Sequence, residues 1–102
     1  METVKLQLGE KEYTIKIKTS EKEEYQKLII TTYDKLNEAK AFNESVEILK
    51  FTVDRLLGKD GFIQLFDQAG ESVLNTMAYL HEILEAVSLK VFDDVEENQI
   101  EE

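Results

Sequence analysis

One histidine, His81, is the first side chain to consider for chemistry, because imidazole is the group that titrates near neutral pH. A catalytic histidine needs an orienting acid and a nucleophile beside it. Glu85 stands four residues on, one helical turn away, which suits a local hydrogen bond. Ser45, Ser72 and Ser88 all fall in or beside helical patterns, without the strained strand-to-helix turn that exposes a nucleophilic serine. A structural or exposed histidine is the simpler expectation. Carboxylates are abundant, yet Glu23-Glu24 and Glu96-Glu97 are consecutive and point apart on a helix. No feature marks the cleft that would shift one pKa upward for glycosidase-type catalysis. Asp60-Gly61 lacks the alternating acidic ligands of a calcium loop. No Lys-Ser or Lys-Thr follows a glycine-rich turn, so phosphate-loop chemistry has no basis. Cysteine is absent, which removes disulfides, thiolate metal sites and thiol nucleophiles, and a lone histidine cannot build a polyhistidine zinc site. A non-enzymatic protein without metal or cofactor is expected.

Charge distribution narrows the partners. The 102 residues hold 22 acids and 12 bases, a net charge near −10. Residues 1–40 balance at eight of each, residues 41–92 carry eight acids against four bases, and residues 93–102 carry six acids and no base. Such density resists burial, so the tail is expected to fray beyond about Val95, as a solubilising end or as a regulatory or partner-binding tail. Phosphate binding needs clustered Lys and Arg, whereas Arg55 is the single arginine, so nucleic acid is not an expected partner. An acidic DNA-mimic inhibitor is an alternative, although a mimic should spread its acids over the folded surface.

The elements that must carry these residues follow from periodicity. Val4, Leu6 and Leu8 alternate with polar residues, Gly9 to Glu12 turn, and Tyr13, Ile15 and Ile17 alternate again. This predicts a β-hairpin over 3–18 with one apolar side, which helices or another chain's strands must cover. Its free edges can extend a sheet in a homo-oligomer. Ser20 to Glu23 reads as a capping box opening a helix to about residue 40, with Tyr25, Leu28, Ile29, Thr32, Leu36 and Ala39 on one stripe. Asn43 is placed to cap a second helix to 57, carrying Val46, Leu49, Val53, Leu56 and Leu57, and ended by Gly58. A short apolar helical turn over 61–67, Phe62 to Phe66, anchors to the core. The last helix, 71–92, repeats Val73, Met77, Leu80, Leu84, Val87 and Val91 at alternating spacings of four and three. Ile83, Leu89 and Phe92 add apolar groups on other faces, so this end lies deep in the core or is covered by a partner. The expected fold is α+β and mostly helical: an N-terminal β-hairpin followed by a three-helix bundle with a short inserted helical turn, one domain over 1–92.

Forty-two per cent of residues are hydrophobic, enough for one compact core. The longest run of branched aliphatics, Leu28 to Ile30, is three residues, far short of the roughly 20 that a membrane span needs. The first residues, METVKLQLGE, mix charge with apolar groups and do not form the apolar block of a signal peptide. A soluble, cytoplasmic protein is expected.

The stretch Asp54-Arg55-Leu56-Leu57-Gly58-Lys59-Asp60-Gly61-Phe62-Ile63-Gln64-Leu65-Phe66 resembles a segment of the tail assembly chaperones of long-tailed phages and prophages of Gram-positive bacteria. A final amphipathic helix follows that segment there, as Val73–Phe92 does here, and the hairpin around Gly9 and Tyr13 is compatible. The resemblance implies a non-enzymatic chaperone that keeps the tape-measure protein soluble while tail-tube subunits assemble. A tape-measure or tail-tube protein would be the partner, and Val87, Leu89, Val91 and Phe92 are the candidate contacts. The N-terminal half is also similar to the small protein that bundles the bacterial FtsZ division ring. That family continues into one long helix, where Gly58, Gly61 and Gly70 interrupt this chain.

Overall fold

A computed structural model describes residues 2–92; the acidic tail expected from residue 93 lies outside them. The architecture is α+β and mostly helical, an antiparallel hairpin followed by four helices. Strand β1 (Glu2–Leu8) pairs with β2 (Lys11–Ile17), closed by a two-residue turn at Gly9-Glu10. Val4 faces Ile15 and Leu6 faces Tyr13, so the apolar side chains of both strands share one side. Val4, Leu8, Ile15 and Ile17 on that side are buried, whereas Thr3, Lys5, Gln7, Glu12, Thr14 and Lys16 opposite them are exposed.

Helix α1 (Lys22–Glu38) is reached through a 3₁₀ turn, Thr19–Glu21. The entry differs from the expected capping box. Ser20 lies inside the 3₁₀ turn, and the reciprocal bond is made one step earlier, where the Lys18 amide donates to the Glu21 carboxylate at 3.2 Å. Helix α2 (Phe42–Leu57) starts before Asn43, with Ala41 at its cap position and no side-chain cap. The nearby Glu44 carboxylate instead accepts from the Lys40 amide at 3.3 Å.

Helix α3 (Gly61–Gln68) makes about two turns and is fastened to α2 at its start. Gly58 ends α2 at φ 96° and ψ −175°, a region essentially restricted to glycine. The Asp54 backbone carbonyl accepts the Gly58 amide at 2.9 Å, and its carboxylate accepts the Phe62 amide at 2.8 Å. One α2 residue thereby caps both helix ends, with its negative charge at the α3 N-terminus where the helix dipole favours it. Gly61 permits the close crossing: a Cβ there would lie 2.8 Å from Leu57 Cβ and 3.2 Å from the Val53 carbonyl oxygen.

Helix α4 (Val73–Val91) starts at Ser72, whose hydroxyl accepts the Asn75 amide at 3.1 Å. It touches α1, α2, α3 and β1, and its Leu80, Ile83, Leu84 and Val87 are fully buried. At its far end Gln26 of α1 donates a hydrogen bond to the Val91 carbonyl. The hairpin lies across the bundle, β1 against α4 and β2 against α2.

Two outcomes test this packing. Gly61→Ala adds helix propensity but forces a methyl into contacts that α2 cannot yield, so a net loss of about 1–3 kcal/mol is expected. Urea unfolding at unchanged m-value reads it directly. Tyr13 Oη is buried without a hydrogen-bond partner. Its pKa is raised above 10.0, first by burial and then by Tyr79 and Asp67. The neutral phenol is therefore favoured in the fold, and the associated stability is present below the unfolded pKa and lost as pH climbs from there towards the folded pKa. Tyr13→Phe is expected to hold or raise the melting temperature at neutral pH and to flatten the alkaline decline relative to the parent.

Candidate functional site

Helices α1 and α2 are joined by the short Ala39-Lys40-Ala41 connection and pack as an α-hairpin. Between them lie two buried threonines, Thr32 and Thr52, with hydroxyls 3.3 Å apart. Each hydroxyl satisfies the other, so small polar side chains let the helices approach without an orphaned group. A trough of about 200 Å³ opens over this pair, lined by both threonines together with Leu28, Ile48 and Phe51 and by Thr31, Lys35 and Glu47. A second hollow of about 260 Å³ continues it past Lys35 and Ile48 to Glu38, Ala39 and Glu44. From Leu28 to Ala39 the trough spans roughly three helical turns, about 16 Å at 1.5 Å per residue.

Phe51 gives the trough its character. It is 65% exposed, a large aromatic with no cover in this chain. The α2 core stripe runs through Leu49, Thr52, Val53 and Leu56, and Ile48 and Phe51 form a second, shorter apolar row on the flank that faces α1. Glu38, Glu44 and Glu47 outnumber Lys35 along the rim, so the local field is acidic. Half-exposed Arg55 reaches Glu24 at 3.6 Å, one turn beyond Phe51 and one turn before Leu28. Such an exposed pair contributes little stability, but it marks where the open apolar stretch gives way to charge.

The candidate contacts from the sequence do not form one surface. Val87 and Val91 are core residues at 0% and 2% exposure, facing into the bundle. Leu89 stands on the opposite flank and is half exposed, and Phe92 is partly buried against the core. The surplus of apolar groups at the end of α4 is explained for Ile83, Val87 and Val91 by their sharing one buried stripe with Leu80 and Leu84. Ile48 and Phe51 carried a signal in the sequence: two apolar residues three apart, off the main stripe.

His81 is exposed, its ring tilted 31° from Tyr33 with centroids 6.1 Å apart. Ser72 is engaged as a helix cap, and Ser45 and Ser88 are half-buried. Asp60 takes a left-handed turn conformation before α3. In the Phe62 to Phe66 element, Phe62 and Leu65 are buried, while Ile63 points to solvent. Among the described residues no group of three or more His, Asp or Glu side chains could hold a metal ion, and no helix is long and apolar enough to cross a membrane. Compared with known proteins, the chain matches no family model, no curated protein and no solved structure.

The burial pattern has a direct test. Val91→Ser removes buried apolar surface and should cost about 2 kcal/mol or more. Leu89→Ser should stay within about 0.5 kcal/mol of the parent when both are compared as monomers at low concentration. Equal effects in chemical denaturation would contradict the placement of these two side chains.

Proposed function

We propose that this chain is a non-enzymatic assembly chaperone of phage or prophage tails, acting in the bacterial cytoplasm to hold the tape-measure protein soluble. The observation that carries the reading is the open apolar trough between α1 and α2 with Phe51 uncovered at its wall. A tape-measure protein, as a long helical chain, would present apolar stripes that need temporary cover before the tail tube encloses it. An amphipathic helix laid along the trough would set side chains at i, i+3 or i+4, and i+7 over the three turns available. Basic residues flanking its stripe would meet Glu38, Glu44 and Glu47. The resemblance of Asp54–Phe66 to the tail-chaperone segment supports the same reading. That segment builds the turn fastening α3 to α2, so it acts by shaping the scaffold, not by touching the partner.

Division-ring bundling requires a single long coiled-coil helix after the hairpin, and this chain turns at Gly58 and again between Gln68 and Val73. Nothing in the trough favours DNA mimicry.

Co-expression with a tape-measure protein, sought among the genes that flank this one, tests the proposal. The parent chain should keep the tape-measure protein in the soluble fraction. Phe51→Asp, at an exposed position, should fold with unchanged helical content and bind about tenfold more weakly or worse, the loss expected for one apolar anchor. A neighbouring gene set devoted to division or metabolism, or full solubilisation by Phe51→Asp, would contradict it.

A further inference from the structure

Strand β1 has a neighbour on one edge only. The two-residue turn makes Leu8 and Lys11 the closing hydrogen-bonded pair, so alternation aims the peptide groups of Val4, Leu6 and Leu8 at β2. Those of Thr3, Lys5 and Gln7 point outward, which leaves three amides and three carbonyls along an open edge. A groove of about 410 Å³ runs beside that edge, between Glu2–Lys5 of the strand and Ala86, Leu89 and Lys90 of α4. It continues into a hollow of about 240 Å³ where Leu6 meets Glu82, Glu85, Ala86 and Leu89. Leu6 is the residue of the sheet's apolar side left only partly covered, and Leu89 is 52% exposed.

The charges along this groove are ordered. Glu82 and Glu85 stand at the Leu6 end. Lys5 and Lys90 stand at the other, with Glu2 at 4.0 Å from Lys90. A surface that runs from acidic to basic along a strand is self-complementary under an antiparallel two-fold, because each acidic end then meets the other copy's basic end. We propose that this edge binds a second copy of the chain, β1 against β1, forming a four-stranded antiparallel sheet with both α4 helices on the same side.

The outward peptide groups allow the axis to pass at Val4, Lys5 or Leu6. An axis at Lys5 sets like charges directly opposite each other, which is destabilising. An axis at Leu6 brings Glu82 and Glu85 against their own copies. The axis at Val4 pairs Thr3 with the partner's Lys5 and joins the unlike ends of the two grooves, and is the register assigned here. Extension to four strands also relieves a two-stranded sheet of its marginal stability. This surface is separate from the α1–α2 trough, so the dimer and the partner site stand or fall independently.

Light scattering on the full chain over a range of concentrations tests the proposal. The expected mass at high concentration is twice the 11.8 kDa of one chain. Lys5→Pro removes an outward amide without touching the hairpin's own ladder, and Leu89→Glu charges the groove; each should raise the dimer dissociation constant at least about tenfold with helical content retained. Thr14→Pro, the same change on the outer edge of β2, should leave the dimer intact. Should either proline disturb the hairpin, charge exchange decides: Glu85→Lys should weaken the dimer and Glu85→Lys with Lys90→Glu should restore it. A monomer at every concentration would overturn the proposal. So would a dimer indifferent to both Leu89→Glu and Glu85→Lys.

Discussion

The burial of the apolar stripe of α4 is the constraint on which the other elements depend. Its Leu80, Ile83, Leu84 and Val87 have no solvent exposure and form one broad stripe, while His81, Glu82, Glu85 and Leu89 on the other side of the helix are exposed. Each such side chain is worth about 1.5–3 kcal/mol of burial, comparable in sum to the whole net stability of a small domain. A stripe this apolar has to be covered, and α1, α2, α3 and the hairpin are the pieces that cover it. The hairpin in turn could not persist alone in water, and gains its cover from α4 and α2. The short α3 is held at its own start by Asp54 and completes the enclosure through Phe62 and Leu65.

With the buried stripe of α4 consumed by the core, apolar surface for partners has to lie outside it. The α1–α2 flank supplies one region, where Ile48 and Phe51 line an open trough beside the buried threonine pair. The β1 edge supplies another, where a two-stranded sheet stops short of covering Leu6 and Leu89. Both regions are bordered by acids in a chain of net charge −10. Charge of that size discourages indiscriminate association, so selection of a partner rests on basic groups that match the rim.

Local pattern carried the fold far. Period-two alternation marks both strands, because a pleated strand must present alternate residues to one cover, and the stripes at three and four mark α1, α2 and α4. The caps were less legible. Ser20 and Asn43 are good capping types, yet a 3₁₀ turn moved the first entry to Lys18 and Glu21, and α2 began at Phe42 before Asn43. Asp54 capping Phe62 reaches across a turn of eight residues, a contact that no local motif encodes. The candidate site was the hardest to see. Periodicity finds apolar residues but does not say which are covered by the same chain, and coverage is a property of the assembled fold. Periodicity alone therefore leaves Val87 and Val91 as candidate contacts and passes over Phe51, which the fold leaves uncovered.

The most direct test is amide-resolved NMR of the chain titrated with a synthetic amphipathic helix whose leucine stripe is flanked by lysines. Shifts confined to α1 from Leu28 to Ala39 and to α2 from Glu44 to Thr52, with Leu80 to Val91 unmoved, are the predicted result. Perturbation centred on the end of α4, with the trough silent, would contradict the account.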